Sequence, residues 1–142
     1  MPSPKFQLRS AAAVTLAALA ASTLIGCQTS PSPPPTTTTP YAGPVLRMET
    51  AVGVHQVVAS TPTGGWTISF DRSELNDGRH DIFVTLRRPN PLFSYSSEPL
   101  EQRAASDVEA TIPADVYARI CDADEPEPGP YSLAIPHVRP PR

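Results

Sequence analysis

The sequence predicts an all-β chain: a small antiparallel β-sandwich, immunoglobulin-like or a partial barrel, set behind a disordered Pro/Thr tether. Three observations carry this. Apolar residues recur with a period of two in short runs, most cleanly at Trp66, Ile68, Phe70 and at Ile82, Val84, Leu86, the spacing of strands with one buried face. Turn chemistry at Asn76-Asp77-Gly78 separates those two runs, so a hairpin is expected there. Many of the 19 prolines fall in the first third of the chain and in its tail, which leaves the strand runs largely free of them.

From the amino terminus, Lys5 and Arg9 stand without an acid before Ala11 to Ile25, which is almost wholly small or apolar. This is the layout of a secretory signal peptide. The run is about fifteen residues, short of the roughly twenty that span a bilayer as a helix, and Ser22 and Thr23 dilute its end. A permanent transmembrane anchor is disfavoured. The run closes on Leu24-Ile25-Gly26-Cys27, two branched residues, a small one and a cysteine. That quartet resembles the lipobox of bacterial lipoproteins. The resemblance implies that residues 1–26 are a signal peptide, that the Cys27 thiol receives a diacylglyceryl group, and that the new amino terminus is acylated after cleavage. Three acyl chains, at about 0.8 kcal/mol per buried methylene, exceed what stable anchoring in membrane lipid needs. Gln28 stands where an aspartate, in enterobacterial lipoproteins, argues for inner-membrane retention. The expected location is therefore the bacterial cell envelope, with the outer membrane favoured.

Residues 27–44 hold the lipidated cysteine and a Pro/Ser/Thr-rich tether, with Pro33-Pro34-Pro35 followed by four threonines. Nothing in this composition packs a core, and polyproline II at about 3.1 Å per residue makes it a spacer reaching roughly 50 Å. The β domain is expected over 45–136, about ninety residues with room for one core, and 137–142 as a disordered tail. The formal charge is −3, and loss of Lys5 and Arg9 makes the mature chain two charges more negative. No basic cluster exceeds Arg87-Arg88. Nucleic acid, whose binding rests on neutralising many phosphates, is excluded as a partner.

Within the domain the first strand is expected from Val52, with Val52, Val54, Gln56 and Val58 alternating against Gly53, His55 and Val57. The Trp66 and Ile82 runs give the next two. Val108, Ala110 and Ile112 give a weaker strand, Pro113-Ala114-Asp115 a turn, and Val116, Ala118 and Ile120 another strand. Glu101 to Ala105 could start a short helix, but the apolar spacing is too thin to carry one. Tyr131 to Ile135 reads as a last edge element, because the prolines around it suit sheet edges.

The candidate binding element is Thr61-Pro62-Thr63-Gly64-Gly65-Trp66. Proline fixes one dihedral, and the two glycines permit positive φ or close backbone approach before tryptophan leads into a strand. On one reading the loop simply turns the chain and Trp66 is the main core aromatic. On the other it reaches a partner protein, with Trp66 as an interface anchor; the alternation points Trp66 inward with Ile68 and Phe70. The pattern, with the downstream Arg88-Pro89-Asn90-Pro91 segment, resembles the C-terminal domain of PrcB-type protease-complex-stability proteins. It is similar, more distantly, to a loop of chagasin-type cysteine-protease inhibitors, which are immunoglobulin-like sandwiches. Thr61, Gly64 and Trp66 each replace a different residue of the chagasin loop, and its glycine-rich second loop has no counterpart. The resemblance implies a fold and a binding role toward an envelope or secreted protease. A second candidate surface is the proline-bounded loop Pro89 to Tyr95, which exposes Leu92, Phe93 and Tyr95 or folds them back as a cap.

Residues for chemistry are thin. His55, His80 and His137 are scattered without metal-ligand spacing. No serine lies in a nucleophile elbow, and Glu98 and Glu101 lie three apart without a predicted cleft for a paired-carboxylate mechanism. Cys121 is expected as a buried, inert thiol, the sharper alternative being a mixed disulfide with a partner. Asp122, Asp124, Glu125 and Glu127 lack the spacing and glycine of a calcium loop. No catalytic residue, metal ligand or cofactor is assigned. The expectation is a non-enzymatic, lipid-anchored binding module that stabilises or inhibits a protease; the alternative is a structural envelope lipoprotein without a protease partner.

Overall fold

The computed structural model describes residues 32–126 and 129–137. Eight strands form two sheets: β1 (Thr36–Thr37), β2 (Val45–Ala51), β3 (Val54–Thr61), β4 (Thr67–Asn76), β5 (Arg79–Arg87), β6 (Leu100–Glu109), β7 (Ala114–Cys121) and β8 (Tyr131–Ile135). One sheet has the order β1-β8-β7-β5-β4 and the other β2-β3-β6. They pack face to face as a β-sandwich, not a closed barrel.

The core is where the inward faces meet. Val57 and Ala59 of β3 and Val108 of β6 pack against Ile82, Val84 and Leu86 of β5 and Ala114, Val116 and Ala118 of β7. Trp66, Ile68 and Phe70 line its edge, which is the inward set that the alternation predicts. The expected hairpin is present: Asn76 pairs with Arg79, and Asp77 and Gly78 turn the chain at φ +50° and +79°. Positive φ at both central residues is the two-residue turn whose twist matches the strands.

The chain departs from the sequence reading at several elements. It does not begin a strand at Val52. Leu46 and Met48 face the core from an earlier strand, β2, while Arg47 and Glu49 stand outside it. Val52 and Gly53 are the β2–β3 turn, at φ +51° and +80°. The expected strand at Val108 to Ile112 lies further upstream, because Ala104, Ser106 and Val108 supply its buried face. Ala110 instead donates its N–H to Gly53 O at 2.9 Å, tying that connection to the β2–β3 turn. Ala114 and Asp115, expected in a turn, open β7. That strand runs parallel to β5, since the intervening β6 belongs to the other sheet and the chain crosses over to return.

The Pro/Thr stretch is also less of a spacer than its composition implies. Thr36–Thr37 adds to β8 as a parallel edge strand. Tyr131 N–H donates to Pro35 O at 2.9 Å, and Tyr41 packs against the core with its hydroxyl on Pro44 O at 2.9 Å. Backbone pairing and one aromatic suffice to dock a segment that has no core pattern of its own. The lipobox, Glu127 and residues 138–142 lie outside the described residues.

Both outer faces hold polar cover over apolar residues. On the small sheet Arg47 and Arg103 bridge Glu49 and Glu101 at 2.7 to 3.3 Å. Val58, whose register partners are Arg47 and Arg103, is fully buried beneath them, a use of the aliphatic stems rather than of the exposed charges. On the large sheet Phe83 meets Tyr117 at 5.3 Å and the edge of Tyr131 at 5.0 Å. Tyr131 donates to Asp71 at 2.9 Å, and the Arg119 guanidinium lies 4.3 Å over its ring.

This packing sets two expected outcomes. Val52 is fully exposed in a left-handed conformation that β-branched residues resist, so Val52→Asn should stabilise the protein by about 1 kcal/mol, read from urea unfolding. Burial, as the first cause, raises the phenols of Tyr41, Tyr117 and Tyr131 above their ordinary value of 10. Once pH passes that value the unfolded chain releases protons that the native state retains. Stability against urea should therefore hold up to about pH 9 and fall as pH rises through 10.

Candidate functional site

Turns and connections 42–44, 61–66, 88–99 and 122–126 gather at one end of the sandwich, where β3, β5 and β7 finish and β2, β4, β6 and β8 begin. The two candidate loops meet there. Gly64 N–H donates to Ser96 O at 2.8 Å. Gly65, at φ +81°, lies against the Tyr95 ring so closely that a Cβ would sit 2.5 Å from it. A glycine is needed at this position on both counts.

The six residues of the loop divide by role. Thr61 is the last residue of β3 and 1% exposed. Its hydroxyl is shared between Leu100 O at 2.9 Å and Thr63 O at 3.2 Å, so it fastens the loop and has no free donor for a partner. Gly64 is buried, with its N–H committed to Ser96. Trp66 is half-buried against the core, as the alternation predicts. Pro62 is exposed and Thr63 partly so. The loop is thus a braced support whose outward surface is Pro62 and the accessible side of Trp66.

That surface forms one wall of an open groove of about 550 Å³. Pro44, Val45, Pro62, Trp66, Pro99 and Ile120 line it, and Arg88 stands among them. Proline has no N–H to donate, so the groove is an apolar channel carrying the Arg88 cation. Arg88 is paired with Asp122 at 3.0 Å, but both side chains are more than half exposed, and such a pair contributes little. Arg87 lies beside it, its guanidinium directed at the carbonyls of Asp122, Ala123 and Glu125 at 3.4 to 3.5 Å, which ties the 122–126 connection to this end.

The sequence points to the loop but not to the rest of the groove lining. Val45 opens β2, Pro99 immediately precedes β6 and Ile120 lies near the end of β7, far apart in the chain and without a shared motif. No signal in the sequence joins them, since neither Val45 nor Pro99 stands at the end of an expected strand. Of the second candidate loop, Leu92 and Phe93 are 83% and 65% exposed, so they do not fold back as a cap. Tyr95 does fold back, against Gly65.

The other sequence candidates are structural. Cys121 is 1% exposed, its Sγ 3.6 Å from Leu86 O, and burial, the largest cause, lifts its thiol above the ordinary range. His55 is buried, with Nε2 2.7 Å from Ile112 O. Among the described residues no group of three or more His, Cys, Asp or Glu is placed to hold a metal ion.

No family model, curated protein or solved structure matches the chain.

The geometry separates the two glycines. Gly65→Ala forces a Cβ into the Tyr95 ring at positive φ, and should cost about 2 kcal/mol. At Gly64 a Cβ meets nothing nearer than 3.4 Å, so Gly64→Ala should leave the melting temperature within about 2 °C. Thermal unfolding of the two variants side by side measures the difference.

Proposed function

We propose that this protein is a non-catalytic binding module of the bacterial cell envelope, anchored through acylated Cys27 and engaging a partner protein at the groove end of its sandwich. The observation that carries the reading is the joining of two loops into one braced wall, Gly64 N–H on Ser96 O at 2.8 Å, beside an open apolar groove. Loops held by a rigid scaffold are where binding concentrates. A groove already formed, whose loops are fixed by hydrogen bonds and a glycine–aromatic contact, has little ordering entropy left to lose on association.

Chemistry within the groove supports binding over turnover. Among the described residues its lining holds one ionisable side chain, Arg88, and no nucleophile with an adjacent base. An extended, largely apolar segment of a partner suits such walls, with Arg88 to receive a polar or anionic group. A protease of the envelope or a secreted one is the partner that the PrcB-type and chagasin-type resemblance implies, to be stabilised or inhibited. Outer-membrane placement is part of the same proposal and rests on Gln28 after the lipidated cysteine.

The test is crosslinking and recovery of the lipidated protein from its own membranes, wild type against Pro62→Asp. Pro62 is exposed and lines the groove, and the substitution puts a charge there without touching the hydrogen bonds of Thr61 or Gly64. Partner recovery should fall at least about tenfold, the scale of one interface hot spot, with the melting temperature held. Equal recovery by both forms, or none by either, leaves a structural envelope lipoprotein as the function.

A further inference from the structure

The groove end is also the end at which the chain enters the fold. β1 runs parallel to β8, with Thr36 beside Tyr131 and Pro35 O accepting the Tyr131 N–H. β8 starts at the end where antiparallel β7 finishes at Cys121. The residues before Thr36 therefore come from the groove end. Only Gln28 to Pro31 separate Cys27 from Ser32, and the five steps of chain between Cys27 and Ser32 reach at most about 17 Å.

The same end projects a shaped apolar tip. Leu92 N–H donates to Asn90 Oδ1 at 2.9 Å and Phe93 N–H to Asn90 O at 3.1 Å. These bonds form a turn that holds the Leu92 and Phe93 side chains out in water, 83% and 65% exposed, with Tyr95, 43% exposed, behind them. Leu92, Phe93 and Tyr95 thus form a contiguous apolar tip available for contact.

We propose that the Leu92-Phe93 tip lodges in the headgroup region of the bilayer that holds the Cys27 acyl chains, so that the domain stands groove end down on the membrane. This rests on the reading of Cys27 as lipidated. A weak insertion suffices, because the anchor makes it an intramolecular event at high effective concentration. Tyr95 has the amphipathic ring that favours the membrane interface. Acidic Glu98, Asp122, Asp124 and Glu125 outnumber Arg87 and Arg88 at this end, so the attraction is apolar and a zwitterionic surface serves. The groove then opens at membrane height, and its partner is one that reaches the lipid surface.

The experiment places tryptophan at the tip. Lipidated Phe93→Trp protein, isolated from its membranes and reconstituted in phosphatidylcholine vesicles, is compared with the wild type, whose Trp66 gives the baseline. Brominated acyl chains should quench the added emission at least twofold more than that of Trp66, and vesicles should shield it from aqueous iodide. If iodide quenches it equally with and without vesicles and brominated lipid does not, the inference fails. It also fails if Phe93→Ser abolishes partner recovery while the tip emission of the Phe93→Trp protein stays unquenched by lipid, since the tip is then covered by protein. The mass of the amino-terminal peptide separates the two readings. Unacylated Cys27 removes the anchor and the inference together, whereas acylated Cys27 with an unquenched tip removes the inference alone.

Discussion

Strand β5 is the constraint on which the rest of the structure depends. Its six residues from Asp81 to Leu86 are all buried, so both of its faces must be covered, and the two faces ask for different partners. Ile82, Val84 and Leu86 require the opposing sheet, which supplies Val57, Ala59 and Val108. Phe83 and Thr85 require a cover on the outside. They obtain it from neighbouring strands: the Tyr117 and Tyr131 rings for Phe83, and Asp71 and Arg119 for the Thr85 hydroxyl. A strand so enclosed has β4 on one side and β7 on the other. The parallel β5–β7 pairing then fixes the crossover through β6, and with it the end of the molecule at which the loops collect.

The bulge in β4 shows how local irregularity serves that arrangement. Register slips between Phe70 and Arg72, leaving Asp71 as the extra residue that a bulge re-aims. Its carboxylate takes hydrogen bonds from Tyr131 and Thr85 and faces the Arg119 guanidinium. Several donors thus meet this charge on the outer face of the sheet. Tyr131 in turn draws Pro35 and Thr36 alongside β8. A chain of contacts therefore runs from the buried strand to the segment that leads back toward Cys27.

Function in this protein, on the reading proposed, is a property of an end rather than of a reactive centre. Hydrogen bonds and a glycine–tyrosine contact lock two loops together, the locked pair walls an apolar groove, and a turn beside it holds up two apolar side chains. Binding at the groove and contact of the tip with lipid use different residues of the same end. They are compatible if the partner approaches along the membrane, which is where an acylated protein would meet an envelope component.

The residues alone were enough to define an all-β fold, the Asn76 to Arg79 hairpin, the inward set Trp66, Ile68 and Phe70, and the loop that shapes the groove, because each depends on neighbours within a few positions. Period-two alternation and turn chemistry are local signals. The β2 strand was hidden because charged Arg47 and Glu49 interrupt its apolar residues, and the Val52-Gly53 turn because valine is a poor occupant of that conformation. Only the tertiary structure decided that β7 runs parallel to β5, that threonines with no core pattern join a sheet edge, and that Val45, Pro99 and Ile120 line one groove with Trp66. Those outcomes depend on which strands cross between sheets, a long-range balance of burial and backbone pairing that no short stretch of residues carries.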